Sequence, residues 1–174
     1  VLIGPLLRKI KPLYLFCALC IVFAGCSLYL ILNVTAFLRG DPGEIFNAAL
    51  ALNDGDITSL LPGKFGYLKM YFRQIPLTSV VRLMFKISTL PSFLYLSQVP
   101  MIIVINFCLW QISNTVFGKD RVTENYVILL SFGFLPQLFF VLFFYKDIIA
   151  VCFMCMSLLC LVKAVYSNKY RLLW

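Results

Sequence analysis

Four long apolar runs constrain this chain more than any other feature of its sequence. The runs at 13–37, 93–117 and 126–145 contain no charged residue, and the run at 148–166 contains only Lys163. Lys163 lies close enough to the end of its run for its ammonium group to reach the lipid headgroups. Because about 20 consecutive apolar residues cross a bilayer as a helix, the sequence predicts an all-α membrane protein with four transmembrane helices. Residues 1–174 then form a single membrane module.

The composition excludes most soluble functions. Hydrophobic residues make up 62% of the chain and charged residues 13%, whereas soluble domains have about 45–50% and about 25%. Histidine is absent, which removes histidine-based acid–base catalysis and histidine metal ligands. A formal net charge of +8 in so apolar a chain indicates contact with lipid headgroups and a defined topology. It does not indicate a nucleic-acid partner.

The cysteines do not indicate a disulfide framework or a metal site. All seven lie in the apolar runs, and they include two C-x-x-C pairs, Cys17/Cys20 and Cys152/Cys155. Such pairs can form redox or zinc sites, but these two have no polar neighbours that would complete a ligand set. We therefore interpret these cysteines as small hydrophobic residues within the spans.

A fifth stretch, 67–90, is apolar but also basic. Its four cations are Lys69, Arg73, Arg82 and Lys86. Each cation near the centre of a span costs about 2.5–3.5 kcal/mol, and Pro76 interrupts the stretch. After Pro76 the apolar residues share one helical face: Leu77, Val80, Val81, Met84 and Phe85. The pattern predicts an amphipathic helix lying in the membrane interface; the alternative is a tilted fifth span with snorkelling ends.

The placement of basic residues predicts the orientation. Basic groups precede the first run, occupy the loop at 118–125 and follow the fourth run. These three groups share one side only if 67–90 does not cross the membrane, and positive charge marks the cytoplasmic side. We therefore expect a multi-pass membrane protein with cytoplasmic N- and C-termini. The segment 38–92 and the turn at 146–147 then lie outside.

Acidic residues occur in both predicted outer loops. Asp41 and Glu44 begin the first loop's helix pattern, and Asp147 lies in the second outer turn. One interpretation is structural: Asp41 caps the helix, Pro42 takes its first position and Glu44 completes a capping box. The other is that Asp41 and Asp147 converge on one outward-facing site, as a general base for an acceptor hydroxyl or as ligands of a divalent cation such as Mg or Mn.

Basic residues near that site suit an anionic ligand. The candidates for binding a lipid-linked phosphate are Lys64, Lys69, Arg73, Arg82 and Lys86. Arginine and lysine bind phosphate groups by charge-assisted hydrogen bonds. Anionic phospholipid headgroups are an equally physical partner for the same residues.

The order of these motifs resembles the N-terminal module of the GT-C membrane glycosyltransferases. The matching residues are Asp41-Pro42-Gly43-Glu44-Ile45, Ala48-Ala49, Gly55-Asp56, Tyr67, Tyr71, Gln74 and Tyr145-Lys146-Asp147. That family includes the lipid A aminoarabinose transferase and the protein O-mannosyltransferases, and the chain looks closest to GT-C-like proteins of Gram-positive bacteria. The resemblance therefore implies a location in the bacterial plasma membrane. The resemblance implies an essential acidic role for Asp41, a weaker one for Glu44 and an assisting one for Asp147. It adds Tyr71 and Gln74 to the substrate-binding candidates.

The resemblance implies sugar transfer from a polyprenyl-phosphate donor on the outer face of the membrane. Family enzymes have more spans than this sequence provides, and a new apolar stretch begins at Leu172. We therefore expect the chain to be part of a longer protein. The alternative is a small non-enzymatic membrane protein, either a lipid-carrier flippase or an assembly subunit.

Overall fold

The computed structural model describes residues 4–34, 38, 40–56 and 67–166, and all regular structure in these ranges is helical. The helices are α1 (Gly4–Lys9), α2 (Pro12–Asn33), α3 (Asp41–Asn53), α4 (Tyr67–Met70), a 3-10 turn (Phe72–Gln74), α5 (Ile75–Met84), α6 (Pro91–Phe117), α7 (Arg121–Gly133), α8 (Pro136–Phe140) and α9 (Lys146–Tyr166). The all-α prediction is confirmed for this part of the chain.

Three of the helices, α2, α6 and α9, are long and apolar enough to cross a membrane. They correspond to the predicted spans at 13–37, 93–117 and 148–166. Helix α2 ends at Asn33, and residues 35–37 of the first predicted span lie outside the described residues. The membrane character deduced from the apolar runs is therefore confirmed for three of the four predicted spans.

The fourth predicted span, 126–145, is not a single helix. Helix α7 ends at Gly133, and α8 begins at Pro136. At 13 residues, α7 is about 20 Å long, which is shorter than the roughly 30 Å hydrocarbon core. Phe134 leaves the helical conformation, with φ −73° and ψ 81°, and Pro136 has no amide hydrogen to continue the helix. A fourth spanning helix is therefore not confirmed.

The broken segment runs beside α2 for most of its length. Three apolar clusters follow one another along α2, and each contains a residue of α2, of α6 and of the stretch 121–145. The first contains Phe16, Trp110 and Ile128, the second Phe23, Val99, Ile102 and Val141, and the third Ile31, Leu94 and Phe144. Ascending numbers along α2 meet descending numbers along α6, so these two helices are antiparallel. The stretch 121–145 ascends with α2.

The break between α7 and α8 is closed by side-chain hydrogen bonds. Gln137 Nε2 donates to the carbonyl oxygens of Ser131 and Phe132, each at 3.0 Å. Asn106 Nδ2, from α6, donates to Gln137 Oε1 at 3.1 Å. A break between helices leaves backbone groups without their helical partners, and such groups are rarely buried unless other protein groups bond to them. The buried side chains of Gln137 and Asn106 supply these bonds.

Polar residues at the start of α7 fix the N-terminal end of the segment 121–145. Asp120 caps the helix by accepting a hydrogen bond from the Thr123 amide at 3.0 Å. The hydrogen bonds from Thr123 lower the pKa of the Asp120 carboxyl. The buried Asn125 side chain donates to the carbonyl oxygens of Leu7 at 2.7 Å and Ile10 at 3.0 Å. The last carbonyls of α1 thereby gain partners that a helix end otherwise lacks.

The basic stretch 67–90 forms short helical pieces that pack on α3. Its longest helix, α5, has 10 residues and is about 15 Å long, so it does not cross a membrane as a single helix. From the predicted apolar face, Leu77, Val81 and Phe85 are buried, Met84 is partly buried and Val80 is exposed. Ile45 and Ala49 of α3 lie in the same cluster. The amphipathic helix is confirmed, with its buried face against protein.

Candidate functional site

Helix α3 does not begin as the sequence predicts. Gly40 occupies the position before the first turn, with φ 60° and ψ −139°, and Asp41 is the first helical residue. This backbone conformation favours glycine because a side chain would clash. In the described structure no side chain caps the helix. The interpretation of Asp41 as the cap of α3 is therefore wrong, and the Asp41 carboxylate is free to bond to another segment.

Gly43 allows the first turn of α3 to lie against the preceding chain. A Cβ atom at Gly43 would stand 2.7 Å from the backbone oxygen of Leu38. No real side chain tolerates that distance to a backbone atom, so the close approach requires glycine. The glycine in the Asp41-Pro42-Gly43 motif thus helps to set where Asp41 lies.

Asp41 belongs to a hydrogen-bond chain that joins three separate segments. Tyr145, in the turn before α9, donates its hydroxyl to Asp41 Oδ2 at 3.1 Å. Gln74, at the end of the 3-10 turn, donates Nε2 to the Tyr145 hydroxyl oxygen at 3.1 Å. Asp41 is exposed and Gln74 is buried. The Asp41 carboxylate is therefore held at the protein surface by the Tyr145 hydroxyl, which is in turn bonded to the buried Gln74 side chain.

Tyr67 is the fourth member of this group, and its hydroxyl oxygen is buried. Burial, followed by the neighbouring Asp41 carboxylate, raises the pKa of Tyr67 to about 12. The buried Tyr67 hydroxyl lies close enough to Asp41 and Gln74 for both to shift its pKa, although it makes no hydrogen bond of good geometry with the described residues. We call Asp41, Tyr67, Gln74 and Tyr145 the Asp41 cluster. Its exposed carboxylate, held by side chains from separate segments, makes it the candidate binding site.

The other acidic candidates do not join the cluster directly. Asp147 lies in the first turn of α9 and Glu44 in the first turn of α3, and both are exposed. Across the described ranges, no hydrogen bond or ion pair links either residue to Asp41. The second predicted outer turn does reach Asp41, through Tyr145, two residues before Asp147. Convergence of the two carboxylates themselves stays a prediction.

The substrate-binding candidates surround the cluster in sequence but differ in exposure. Tyr71 stacks on Tyr67 with ring centroids 4.9 Å apart. The basic candidates Lys69, Arg73, Arg82 and Lys86 are all exposed, whereas Lys64 lies outside the described residues. Within the described chain, no group of three or more Cys, Asp or Glu side chains could hold a metal. A divalent cation at Asp41 would need further oxygen ligands from a substrate or from water.

No protein family, no curated protein and no solved structure matches this chain. The candidate site therefore depends on its own geometry. The resemblance to GT-C enzymes is an interpretation of motif order that these comparisons do not test.

Sequence reasoning nominated Asp41 and Gln74 but assigned no role to Tyr145 or Tyr67. Both tyrosines are amphipathic side chains at the edges of apolar stretches, where a hydroxyl group commonly reaches a polar partner. That signal indicates a location near the interface, but many tyrosines share it. Only the packing of α3, the 3-10 turn and the turn before α9 selects these two.

We expect Gln74→Leu to leave the free energy of unfolding within about 1 kcal/mol of the wild-type value, or to raise it. The substitution removes one hydrogen bond to Tyr145 but also removes the unpaired Oε1, and an orphaned buried polar atom costs roughly 1–3 kcal/mol. Thermal unfolding in detergent measures the difference. A large loss of stability would show that the amide is needed for folding and would weaken the case for a binding role.

Proposed function

We propose that this chain is part of a polyprenyl-phosphate-sugar-dependent glycosyltransferase acting on the outer face of the membrane. One observation carries the proposal: Asp41 does not cap its helix, and its carboxylate is held by Tyr145 from a distant segment at an exposed edge. A carboxylate that does not cap its own helix and is fixed by a second segment has the placement that a general base needs.

In the proposed reaction, an acceptor hydroxyl attacks the anomeric carbon of the lipid-linked sugar. Asp41 orients this hydroxyl and takes its proton as the new glycosidic bond forms. The bond between the anomeric carbon and the phosphate oxygen breaks, and the polyprenyl phosphate leaves with the electron pair. The Tyr145 hydroxyl and the buried Gln74 amide would hold the Asp41 carboxylate in position for this step.

The proposed topology includes a fourth crossing by the broken segment 121–145. Its support is the sequence of three apolar clusters along α2, in which this segment advances from Ile128 beside Phe16 to Phe144 in the cluster that includes Ile31. In this arrangement Asp41 and Tyr145 lie on the outer side. The chain ends and the loop before α7 then lie in the cytoplasm, as the distribution of basic residues predicts.

The basic residues and the exposed Asp147 have supporting roles in this proposal. Lys69 and Arg73 flank the stacked Tyr71 in sequence and are exposed, so they are available to the phosphate of a lipid-linked donor. Asp147 would assist the acceptor or complete the ligands of a divalent ion such as Mg or Mn. Lys146 lies 5.7 Å from the Tyr145 ring centroid, next to the hydroxyl that holds Asp41.

The test of the proposal is transfer of a labelled sugar by the full-length protein in lipid vesicles. The polyprenyl-phosphate donor is supplied to the outer leaflet, and the labelled product is separated from the donor by chromatography. We expect label to move to an acceptor only when the protein is present. Binding of the donor without any transfer, across the common sugars, would overturn the proposal in favour of a non-enzymatic lipid-carrier role.

A further inference from the structure

Helix α5 carries a second apolar stripe that no described part of the protein covers. Pro76, Val80, Leu83 and Ile87 follow one another at spacings of four, three and four residues, which places them on one helical face. Leu83 is 62% exposed and Ile87 is 77% exposed. The buried face, with Leu77 and Val81, lies elsewhere on the same helix. The helix and the turn after it are therefore apolar on two faces, and only one of them packs on protein.

Cations border this exposed stripe. Arg82 precedes Leu83, Lys86 precedes Ile87, and both cations are exposed. The same pairing occurs earlier, where Lys69 precedes the 69% exposed Met70 and Arg73 follows the 74% exposed Phe72. In the described part of the chain, none of these cations forms an ion pair with an acidic residue. Exposed apolar side chains beside unpaired cations are typical of helices that lie in a membrane surface.

The connection to α6 indicates what covers the stripe. After Lys86 and Ile87 the chain reaches Leu90, which is 63% exposed, and α6 begins at Pro91. Because α6 is long and apolar enough to span a membrane, its first residues lie at a membrane surface. The end of α5 is only a few residues away and must lie close to the same surface.

We propose that the segment 67–90 lies on the lipid leaflet and binds anionic phospholipid headgroups. The exposed stripe enters the boundary between headgroups and acyl chains, and Arg82 and Lys86 bind the anionic phosphates above it. This inference does not depend on sugar transfer. Each cation near the membrane surface is expected to strengthen binding of this segment to an anionic leaflet roughly fivefold, which corresponds to about 1 kcal/mol.

The experiment measures contact between position 83 and the lipid. The full-length Leu83→Trp protein is placed in nanodiscs in which either phosphatidylcholine or phosphatidylglycerol carries brominated acyl chains, at the same total lipid composition. The fluorescence of the wild-type protein, which has native tryptophans, is subtracted. Asn47→Trp, at an exposed position of α3, is the matched control, and Ile87→Trp repeats the measurement at a second position.

We expect blue-shifted emission at position 83, strong quenching, and severalfold more quenching by brominated phosphatidylglycerol than by brominated phosphatidylcholine. In the Arg82→Gln/Lys86→Gln background this preference for the anionic lipid should disappear while the quenching itself remains. Blue-shifted emission without quenching would mean that protein covers the stripe, and red-shifted emission without quenching would mean that water does. Either result, or equal quenching by the two lipids, would overturn the proposal.

Discussion

Asp41→Asn is expected to lower the rate of sugar transfer by about 10²–10⁴-fold, the usual contribution of a general base. Asparagine has nearly the same size as aspartate and keeps an oxygen that can accept from Tyr145. It cannot take a proton from an acceptor hydroxyl. The substitution therefore removes the proposed chemistry and preserves the local structure. The rate is measured at saturating donor concentration, together with thermal unfolding of the same sample.

The matched control is Asp54→Asn, at the other end of α3. Asp54 is exposed and follows the last residue of the helix, so the control changes the same charge in the same outer segment. It should leave the transfer rate within about twofold of wild type, because surface charges outside a site contribute little. Equal losses in both variants would indicate a general charge effect. An unchanged rate for Asp41→Asn would refute the catalytic role.

Gln137→Leu is expected to lower the free energy of unfolding by about 3 kcal/mol. The substitution leaves Asn106 Nδ2 and the carbonyl oxygens of Ser131 and Phe132 without their present partners. Orphaning a buried group such as the Asn106 amide costs roughly 1–3 kcal/mol, and the two part-buried carbonyl oxygens cost less. The break between α7 and α8 lies beside the middle of α2 and α6, near Phe23 and Ile102. Thermal unfolding in detergent, supported by limited proteolysis near residue 134, measures the effect.

Gln111→Leu is the control for this prediction. Gln111 lies on α6, is only partly buried, and its side chain forms no hydrogen bond with the described residues. It should change stability by less than about 0.5 kcal/mol, as substitutions away from special features usually do. Asn106→Leu combined with Gln137→Leu should cost less than the sum of the single changes, since the two side chains bond to each other. Strict additivity would show that the Asn106–Gln137 contact contributes no stability.

Gln74 and Gln137 illustrate two uses of a buried amide. Both are buried, yet Gln137 uses both its oxygen and its nitrogen within the protein, whereas Gln74 Oε1 has no partner among the described residues. We therefore expect substitution by leucine to damage folding at one position and to be tolerated at the other. The sequence shows two glutamines in apolar surroundings and does not distinguish them, because their partners are distant along the chain.

Several local features followed from the sequence because their causes are local. Asp54-Gly55 is a typical helix end, and α3 does end at Asn53, with Gly55 at φ 84°. The Asp56 amide then donates to the Ala51 carbonyl oxygen at 2.8 Å, which closes the helix end. The buried stripe of α5 was also predictable, since helical periodicity requires only neighbouring residues. Such features depend on a few adjacent side chains.

The interpretation of Asp41 as a helix cap is wrong, and the run 126–145 is not confirmed as one spanning helix. Asp41 has a strong capping propensity, but Gly40 takes the position before the helix and Tyr145, 104 residues away, donates to the carboxylate instead. The run 126–145 has the length and apolarity of a span, but it is interrupted at Phe134 and Pro136, within the run itself. The hydrogen bonds from Tyr145 to Asp41 and from Asn106 to Gln137 join segments that are distant along the chain.

The amino-acid sequence by itself determined that this chain forms helices long and apolar enough to cross a membrane, and that the stretch 67–90 is amphipathic. These properties follow from the length of the apolar runs and from the helical spacing of apolar residues, both of which depend only on residues that are near one another in the chain. Only the tertiary structure decided that Asp41 meets Tyr145, Gln74 and Tyr67, and that Asn106 supports a broken helix. The physical reason is that hydrogen bonds between remote segments depend on how helices pack, and that packing is a property of the whole chain.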